Sequence, residues 1–156
     1  TTQDVFDSFL GPYDSYKSFF HGHSYTGNQL GASAALASLD LLKRTGSAPA
    51  RRNLQKYLNH ALKSLWKSPF VGDIRQSGLI AGIELVRDWR TREPWPREKQ
   101  VGIQVCKEMA KLGVLTRPIG NVIALMPPYC CTKAQVYKMT SALAKSVKTV
   151  LGTIPV

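Results

Sequence analysis

The chain has 156 residues, of which 44% are hydrophobic and 20% are charged, so it is long and apolar enough to form a folded core. Its longest apolar runs fall far short of the roughly 20 residues of a membrane-spanning helix, which excludes such a span. The formal net charge of +11 is typical of proteins with an acidic partner, including RNA or DNA, and also of helices with solvated basic faces.

The positive charge is concentrated after the first third of the chain. Residues 1–50 carry three basic and four acidic side chains, whereas the remainder carries 18 basic and six acidic ones. Several of these cations recur at roughly helical spacing and are not massed beside exposed aromatic residues: Arg51, Arg52, Lys56, Lys63 and Lys67. This spacing favours solvated helix faces, and we do not expect nucleic acid as a partner.

The cysteines predict a reduced environment. Cys106, Cys130 and Cys131 form an odd set without paired spacing, and adjacent cysteines rarely bridge each other because the ring would be strained. Neither the adjacent cysteines nor His21 and His23 have a spaced second pair of ligands, so no metal site is predicted. The first residues lack a basic and an apolar region, so a signal peptide is not expected. A cytoplasmic location follows.

The first elements in chain order are two helices joined by a polar loop. A short helix is predicted within Thr2–Leu10, and a second helix over Gln29–Leu42, with Asn28 as its N-cap. Small residues occupy nearly every side of the second helix, which predicts that it is buried and closely packed. Thr45-Gly46-Ser47 is predicted to end it, and we place a domain boundary there.

The segment Phe19–Asn28 carries the strongest chemical signal in the chain. Its two glycines allow a ligand to approach the backbone, and the hydroxyls of Ser24 and Thr26 can donate hydrogen bonds. The following helix offers unpaired N-terminal amides, so the pattern predicts a phosphate-binding turn. The histidines on either side of Gly22 could contact an anion or simply pack locally.

Beyond residue 45, the pattern predicts an α+β arrangement. In chain order we first expect a helix with Pro49 in its first turn and Leu54, Leu58, Leu62 and Leu65 on one face, then strands Val71–Arg75 and Leu79–Val86 and a surface loop Asp88–Lys99. There follow a helix Glu98–Leu112 closed by Gly113, and strands Val114–Arg117 and Val122–Met126 around a tight turn or hairpin. A last helix is capped by Thr132 and Gln135, and one of its faces is an apolar stripe suited to burial: Val136, Met139, Leu143, Val147 and Val150.

Arg117 is a candidate ligand-binding residue because it stands next to Pro118 at the end of a predicted strand. A guanidinium can hold a carboxylate with two parallel hydrogen bonds. An arginine at a strand end is also often part of a surface ion pair. The residues alone leave both interpretations open.

Three blocks of sequence resemble the class III pyridoxal-phosphate aminotransferases. They are His21–Asn28, then Gly72–Leu79 with Gly82–Leu85, and then Arg117–Asn121 with Leu125–Pro128. The blocks occur in the family's order and span nearly the whole chain. The resemblance implies an α/β and α+β architecture, the C-terminal part of a fold-type I transferase. Residues 1–45 would be a strip of the large cofactor-binding domain with a linking helix, and residues 46–156 the small C-terminal α+β domain.

The resemblance also implies roles for particular residues. Gly22 matches a glycine that lies against the substrate. His23 and Ser24 match the pair that binds the phosphate of pyridoxal 5'-phosphate, contributed across the interface of a homodimer to the neighbouring subunit. Arg117 matches the arginine that receives the substrate carboxylate. The Schiff-base lysine, the aspartate on the pyridine nitrogen and the aromatic residues around the ring correspond to positions before Thr1, so no catalytic residue is assigned and the chain is not expected to catalyse alone.

Within the class, the resemblance implies an enzyme of biotin biosynthesis. The amino group would pass from S-adenosylmethionine to 8-amino-7-oxononanoate and give 7,8-diaminononanoate. Three alternatives stay open: another class III ω-aminotransferase, an inactive remnant, and a basic nucleic-acid-binding module.

Overall fold

Residues 1–44 and 48–152 are described by the computed structural model. The chain divides into two units, Thr1–Ser47 and Ala48–Val156. The predicted helix end at Thr45-Gly46-Ser47, with the boundary placed there, lies outside the described residues.

The first unit contains two helices, α1 (Gln3–Asp7) and α2 (Gln29–Arg44), and a 3-10 turn at Tyr13–Ser15. The predicted N-cap of α2 is confirmed, because Asn28 Oδ1 accepts a hydrogen bond from Gly31 N at 2.9 Å. The cap therefore occupies one of the backbone amides that the start of the helix would otherwise leave unpaired.

The predicted burial of α2 is wrong for this chain. Every residue of α2 whose burial is described is exposed or half-buried, and Leu30, Leu36 and Leu39 are among the exposed ones. The described part of this unit offers only α1 and a 3-10 turn besides α2. A helix needs a packed layer against it to bury its apolar side chains, and these short segments do not supply one.

The second unit has the predicted order of helices and strands, and one further strand. Its elements are α3 (Ala48–Leu62), a 3-10 turn (Lys63–Lys67), β1 (Val71–Ser77), β2 (Ile80–Asp88), β3 (Glu93–Pro94), a 3-10 turn (Arg97–Lys99), α4 (Val101–Lys111), β4 (Arg117–Ile119), β5 (Val122–Leu125) and α5 (Lys133–Leu151). Pro49 lies in the first turn of α3, as predicted, where its missing N–H costs no helix bond.

The strands form an antiparallel sheet in the order β1-β2-β5-β4, with β3 paired to the end of β2. Two neighbouring rows of paired residues cross this sheet. They are Ile74, Ile83, Ile123 and Pro118 in one row, and Arg75, Gly82, Ala124 and Arg117 in the next. Because successive side chains of a strand point to opposite faces, the two rows lie on opposite faces of the sheet.

One face of the sheet contributes to the hydrophobic core. Ile83 and Ile123 are fully buried in a single cluster with Leu58 of α3, Met109 of α4 and Leu143 of α5. Leu54, Leu58 and Leu62 of α3 belong to this cluster, and so does Leu65, which lies in the 3-10 turn after α3 and not in the helix as predicted. Val136 and Val147 of the predicted α5 stripe belong to it as well. Each such side chain contributes roughly 1.5–3 kcal/mol by leaving water, so this unit holds the core of the chain.

The predicted surface loop Asp88–Lys99 is wrong at two places, the short strand β3 and the buried Trp95 that follows it. Trp95 is only 4% exposed and belongs to the core cluster. Asn121 Nδ2 donates a hydrogen bond to Trp95 O at 2.8 Å, which ties the loop to the turn between β4 and β5. A large indole can bury most of its area even in a segment rich in proline and charge.

Strand β4 begins at Arg117, three residues later than predicted. Val114 is buried, and its backbone N donates to Met109 O at 3.0 Å, so it completes the end of α4. Gly113 takes the left-handed conformation there, with φ +76°. The predicted hairpin is confirmed: β4 and β5 are joined by Gly120 and Asn121, and Gly120 also has a positive φ of +59°.

Candidate functional site

The predicted phosphate-binding segment forms a turn with unusual backbone angles. Tyr25, Thr26 and Gly27 follow one another with φ of 65°, 41° and 71°. Asn28 N donates to Tyr25 O at 2.7 Å and closes the turn directly before α2. A β-branched residue at positive φ is strained, and such strain is found preferentially where the backbone is shaped for binding.

The three predicted site residues of this segment are all exposed. No atom lies within 4 Å of the place where a Cβ on Gly22 would sit, so the backbone there is open to an approaching molecule. His23 Nε2 lies 3.0 Å from His21 Nε2, and the two rings meet edge to face. The structure therefore pairs the two histidines, while Ser24 stays exposed beside them.

The donors of this turn fit a phosphate ester. A phosphate needs several hydrogen-bond donors that can reach it together, and Ser24 and Thr26 bring exposed hydroxyls to an open stretch of backbone. The imidazole of His23 adds a further possible donor, although one of its nitrogens faces His21. Gly31 N is already bonded to Asn28, so the helix contributes fewer amides than the sequence suggests.

Arg117 lies on the edge strand β4 and is exposed on the sheet face opposite the core. Within residues 1–44 and 48–152, the structure gives its guanidinium no carboxylate partner. The surface ion pair considered from the sequence is therefore wrong for the described part of the chain. An exposed guanidinium without a partner can bind a carboxylate without first breaking another bond.

Arg75, in the same row of the sheet, provides the contrast. Its Nη1 lies 2.8 Å from Asp73 Oδ2 and 3.1 Å from Glu84 Oε2. The hydrogen bond to Glu84 is the main cause that raises the pKa of Arg75 above its ordinary value. Two arginines on one sheet face thus differ in their contacts: Arg75 joins two strands, whereas the described residues provide no carboxylate for Arg117.

The surroundings of Arg117 suit a carboxylate on an aliphatic chain. Ala124 and Gly82 follow it in the same row; alanine has only a methyl group and glycine no side chain, so neither covers the guanidinium. Ile119, two residues further along β4, is 65% exposed on the same face and offers an apolar surface. Gly82 and Ile119 fall within the sequence blocks that carry the resemblance, but the sequence analysis assigns no role to either of them or to Ala124. The alternation of side chains and the register of the hairpin are the signals that could have placed the three on one face with Arg117.

The position of β4 depends on a close backbone approach by α4. A Cβ on Gly102 would lie 2.3 Å from Gly120 O and 2.7 Å from Pro118 Cβ, so only glycine fits between the helix and the hairpin. On the other side, the Thr116 hydroxyl donates to Ala124 O. These contacts hold the backbone on both sides of Arg117.

Two of the three cysteines have thiols whose pKa is raised by burial. Burial raises the pKa of the Cys106 thiol from 9.0 to about 11, so it stays protonated near neutral pH. Burial also raises the pKa of Cys131, with a smaller contribution from Cys130. In the described ranges, no group of three or more His, Cys, Asp or Glu could hold a metal ion. None of the described helices is both long and apolar enough to cross a membrane.

Comparison with known proteins decides the family. The sequence model described as Aminotransferase class-III matches residues 3–147. This chain belongs to the class-III aminotransferases. The family resemblance inferred from the three sequence blocks is thereby confirmed.

Several class-III relatives share one name. The chain is 47% identical over 151 residues to adenosylmethionine-8-amino-7-oxononanoate aminotransferase of Geobacter sulfurreducens, covering 97% of this chain and 33% of that protein. It is 38% identical over 148 residues to the protein of the same name from Methanocaldococcus jannaschii, covering 95% and 32%. The chain thus spans about a third of the length of the curated relatives it matches.

Solved structures of class-III enzymes confirm the mixed helix and antiparallel-sheet architecture. The crystal structure of the Methanocaldococcus jannaschii enzyme has a TM-score of 0.75 at 37% identity, and the match covers 96% of this chain and 34% of that one. An aminotransferase from Vibrio fluvialis, in a PMP-bound form, has a TM-score of 0.75 at 27% identity, covering 91% and 31%. The roles of Gly22, His23, Ser24 and Arg117 stay predictions, because these comparisons assign no residue.

Proposed function

We propose that this chain is part of a pyridoxal-phosphate-dependent transaminase of biotin biosynthesis. The enzyme would move an amino group from S-adenosylmethionine to 8-amino-7-oxononanoate in the cytoplasm and release 7,8-diaminononanoate. The shared name of relatives that are 37–47% identical supports this substrate pair. Solved transaminases with other titles are 26–28% identical.

The observation that carries the proposal is the exposed guanidinium of Arg117 on a sheet face, for which the described part of the chain offers no carboxylate partner. In our proposal it binds the carboxylate of the oxononanoate through two parallel hydrogen bonds. Ile119 contacts the first methylene groups, and Gly82 and Ala124 leave room for them. A hydrogen bond to a charged group contributes roughly 1.5–3 kcal/mol, which is enough to orient a flexible chain.

The cofactor would be held through its phosphate. Ser24 donates its hydroxyl and His23 its imidazole to the phosphate oxygens, and Gly22 lets the substrate pass close to the backbone. When bound, pyridoxal phosphate supplies the electron sink for the transfer of the amino group. We further propose that residues 1–45 belong to the large domain and 46–156 to the small domain. In a homodimer, His23 and Ser24 would serve the neighbouring subunit's site.

A chimera tests this function. The matching third of the Geobacter sulfurreducens relative is replaced by this chain, and 7,8-diaminononanoate is measured. We expect turnover, and we expect Arg117→Ala to raise the KM for the oxononanoate by about tenfold or more, because a charge-assisted bond is lost. Arg117→Lys should recover only part of the affinity, since a lysine cannot bind bidentately. Arg52→Ala, an exposed arginine of α3, serves as the matched control.

Ser24→Ala in the same chimera should weaken the retention of pyridoxal phosphate during dialysis, measured by its absorbance. An unchanged KM in Arg117→Ala together with unchanged retention in Ser24→Ala would contradict the assigned roles. Faster turnover of other ketones or ω-amino acids would favour the other class-III enzyme considered above. A folded chimera without turnover on any ketone would favour the inactive remnant.

A further inference from the structure

A second concave surface of the Ala48–Val156 unit combines aromatic rings with positive charge. We call it the tryptophan groove; Trp66, Lys67, Gly72, Trp89, Arg90 and Arg92 are among its lining residues. Its volume is about 570 Å³, within the range of small-molecule sites. Antiparallel pairing of the start of β1 with the end of β2 creates it, since residues just outside both strand ends become neighbours.

Two tryptophans of the groove are unusually exposed. Trp66 and Trp89 are each 52% exposed, whereas Trp95 is 4% exposed. An indole left half in water gives up much of the stabilisation that its large apolar area provides on burial. Exposed aromatic faces in a concave surface are, however, the surfaces on which nucleic-acid bases stack.

The charge of the groove is positive. Lys67, Arg90 and Arg92 line it, and the described residues of its lining include no carboxylate. Of the nearby acids, Glu93 is paired with Arg87 at 3.2 Å, and Asp88 accepts a hydrogen bond from Arg90 N at 2.8 Å.

One cation is already stacked in the groove. The Arg90 Cζ lies 5.5 Å from the centroid of the Trp89 ring, in cation–π distance. The expectation that the five cations at helical spacing are not placed beside exposed aromatic rings is wrong at Arg51, whose Cζ lies 5.5 Å from the centroid of the exposed Tyr129 ring. Lys67, of the same set, lines the groove together with both tryptophans.

A second groove of the same unit provides a natural comparison. We call it the basic groove; it is lined by Arg52, Lys56 and Lys63 of the region that the sequence analysis singled out, together with His60 and amide side chains. Its volume is also about 570 Å³, but no tryptophan, tyrosine or phenylalanine lines it. The two grooves thus match in size and in their number of lysines and arginines, and differ in their aromatic surface.

We propose that the tryptophan groove binds a nucleotide. The heteroaromatic base stacks on the indoles of Trp66 and Trp89, and the phosphate is held by Lys67 and Arg92. The combination of a π-face and cations, without a competing carboxylate in the lining, fits this chemistry better than it fits a simple anion or an apolar ligand. This binding goes beyond the transaminase reaction, which assigns the groove no role.

The test uses the full 156-residue chain and four probes: AMP, adenosine, inorganic phosphate and an oligodeoxyadenylate of about ten nucleotides. Tryptophan fluorescence reports on contact, because Trp66 and Trp89 are accessible to quenching while Trp95 is buried. Equilibrium dialysis with labelled AMP measures the affinity. We expect saturable quenching by AMP, with adenosine and phosphate each binding at least about fivefold more weakly.

The variants test the binding of the base and the binding of the phosphate separately. Trp89→Leu should weaken AMP binding about fivefold or more through lost stacking, while Trp89→Phe should retain part of it. Lys67→Ala and Arg92→Ala should weaken AMP binding and reduce its salt dependence, but should leave adenosine binding unchanged. Lys56→Ala in the basic groove is the matched control and should change neither. Circular dichroism confirms that each variant is folded.

The outcomes are distinguishable. Tighter binding of the oligodeoxyadenylate than of AMP identifies the nucleotide as part of a strand, and comparable binding identifies a free nucleotide. Absence of quenching by AMP, equal binding of AMP and adenosine, or equal effects of Lys56→Ala and Lys67→Ala would overturn the proposal. None of these results depends on transaminase activity, so failure here leaves the proposed function untouched.

Discussion

At the scale of single residues, Gly102 controls the position of Arg117. It lies in the first turn of α4, where the helix backbone approaches Pro118 and Gly120 too closely for any side chain. The carbonyl oxygen of Gly120 belongs to the turn of the β4–β5 hairpin and cannot rotate away as a flexible side chain would. The packing of a helix against a turn thus influences where the candidate binding side chain of Arg117 lies on the opposite face of the sheet.

Gly102→Ala is expected to destabilise the protein by about 2 kcal/mol, because the added methyl group overlaps backbone and forces the hairpin to shift. Urea unfolding of the full chain measures this. Gly82→Ala is the matched control, since its Cβ would meet only Val122 Cγ1 at 3.2 Å. We expect it to cost less than about 1 kcal/mol. Equal losses in the two variants would show that the approach of α4 is not tight.

The sequence identifies Arg117 as a candidate binding residue, but it does not show whether a carboxylate pairs with its guanidinium. Its place beside Pro118 marks it as a candidate, yet the choice between an ion pair and a free guanidinium depends on which carboxylates the sheet brings near. Arg75 shows the same dependence, because Glu84 reaches it only through the register of β1 and β2. Which side chains meet across two strands depends on the register of the folded sheet, and the spacing of residues along the sequence does not predict it.

At the scale of elements, the end signals of helices are the most predictable part of the chain. The capping box of α5 is present: Gln135 N donates to Thr132 Oγ1 at 3.2 Å, and Thr132 N donates to Gln135 Oε1 at 2.8 Å. These bonds involve residues three apart, so a short stretch of sequence determines them. Element boundaries that depend on distant contacts, such as the start of β4 after the buried Val114, were less accurate.

Removal of this cap has a predictable cost. Thr132→Ala should lower the free energy of unfolding by about 1 kcal/mol, since one amide of the first turn loses its side-chain acceptor. Thermal or urea unfolding of the full chain measures the change. Thr132→Ser keeps the hydroxyl and should cost only a few tenths of a kcal/mol. A serine variant as unstable as the alanine variant would show that the hydroxyl contributes little.

Burial of whole elements was predicted correctly for α3 and α5 and incorrectly for α2. All three have apolar residues on one or more faces, but only α3 and α5 contribute to the core cluster. Composition shows that a helix can be buried, whereas burial itself requires a layer to pack against. That layer is absent from the described residues around α2.

At the scale of the whole molecule, the two units differ in how their backbone hydrogen bonds are protected. No described residue of 1–44 is buried, whereas residues 48–152 contain the core cluster. Helices α2 and α5 have similar lengths, 16 and 19 residues, and so offer a matched pair within one chain.

Hydrogen exchange measured by mass spectrometry on the full chain should separate these two helices. We expect the amides of α2 to exchange much faster than those of α5, because a helix without packed neighbours opens readily on its own. Comparable protection of the two helices would contradict the difference in burial described above.

The tryptophan groove is the feature that was least predictable from the sequence. Trp66 and Trp89 lie on either side of the β1–β2 hairpin, and neither has a motif around it that indicates binding. Because both strands were predicted, the pairing of the start of β1 with the end of β2 could have been inferred from the sequence. The exposure of both rings depends on which helices cover the sheet, and only the folded structure shows that.

Pro118 has a consequence beyond its place next to Arg117. It lies in the outermost strand of the sheet, and it has no N–H to offer to a further strand. A second molecule therefore cannot continue the ladder of hydrogen bonds past this residue, and stacking of chains edge to edge into fibres is discouraged. The proline that accompanies the candidate binding arginine therefore also discourages strand-to-strand pairing between chains at this edge of the sheet.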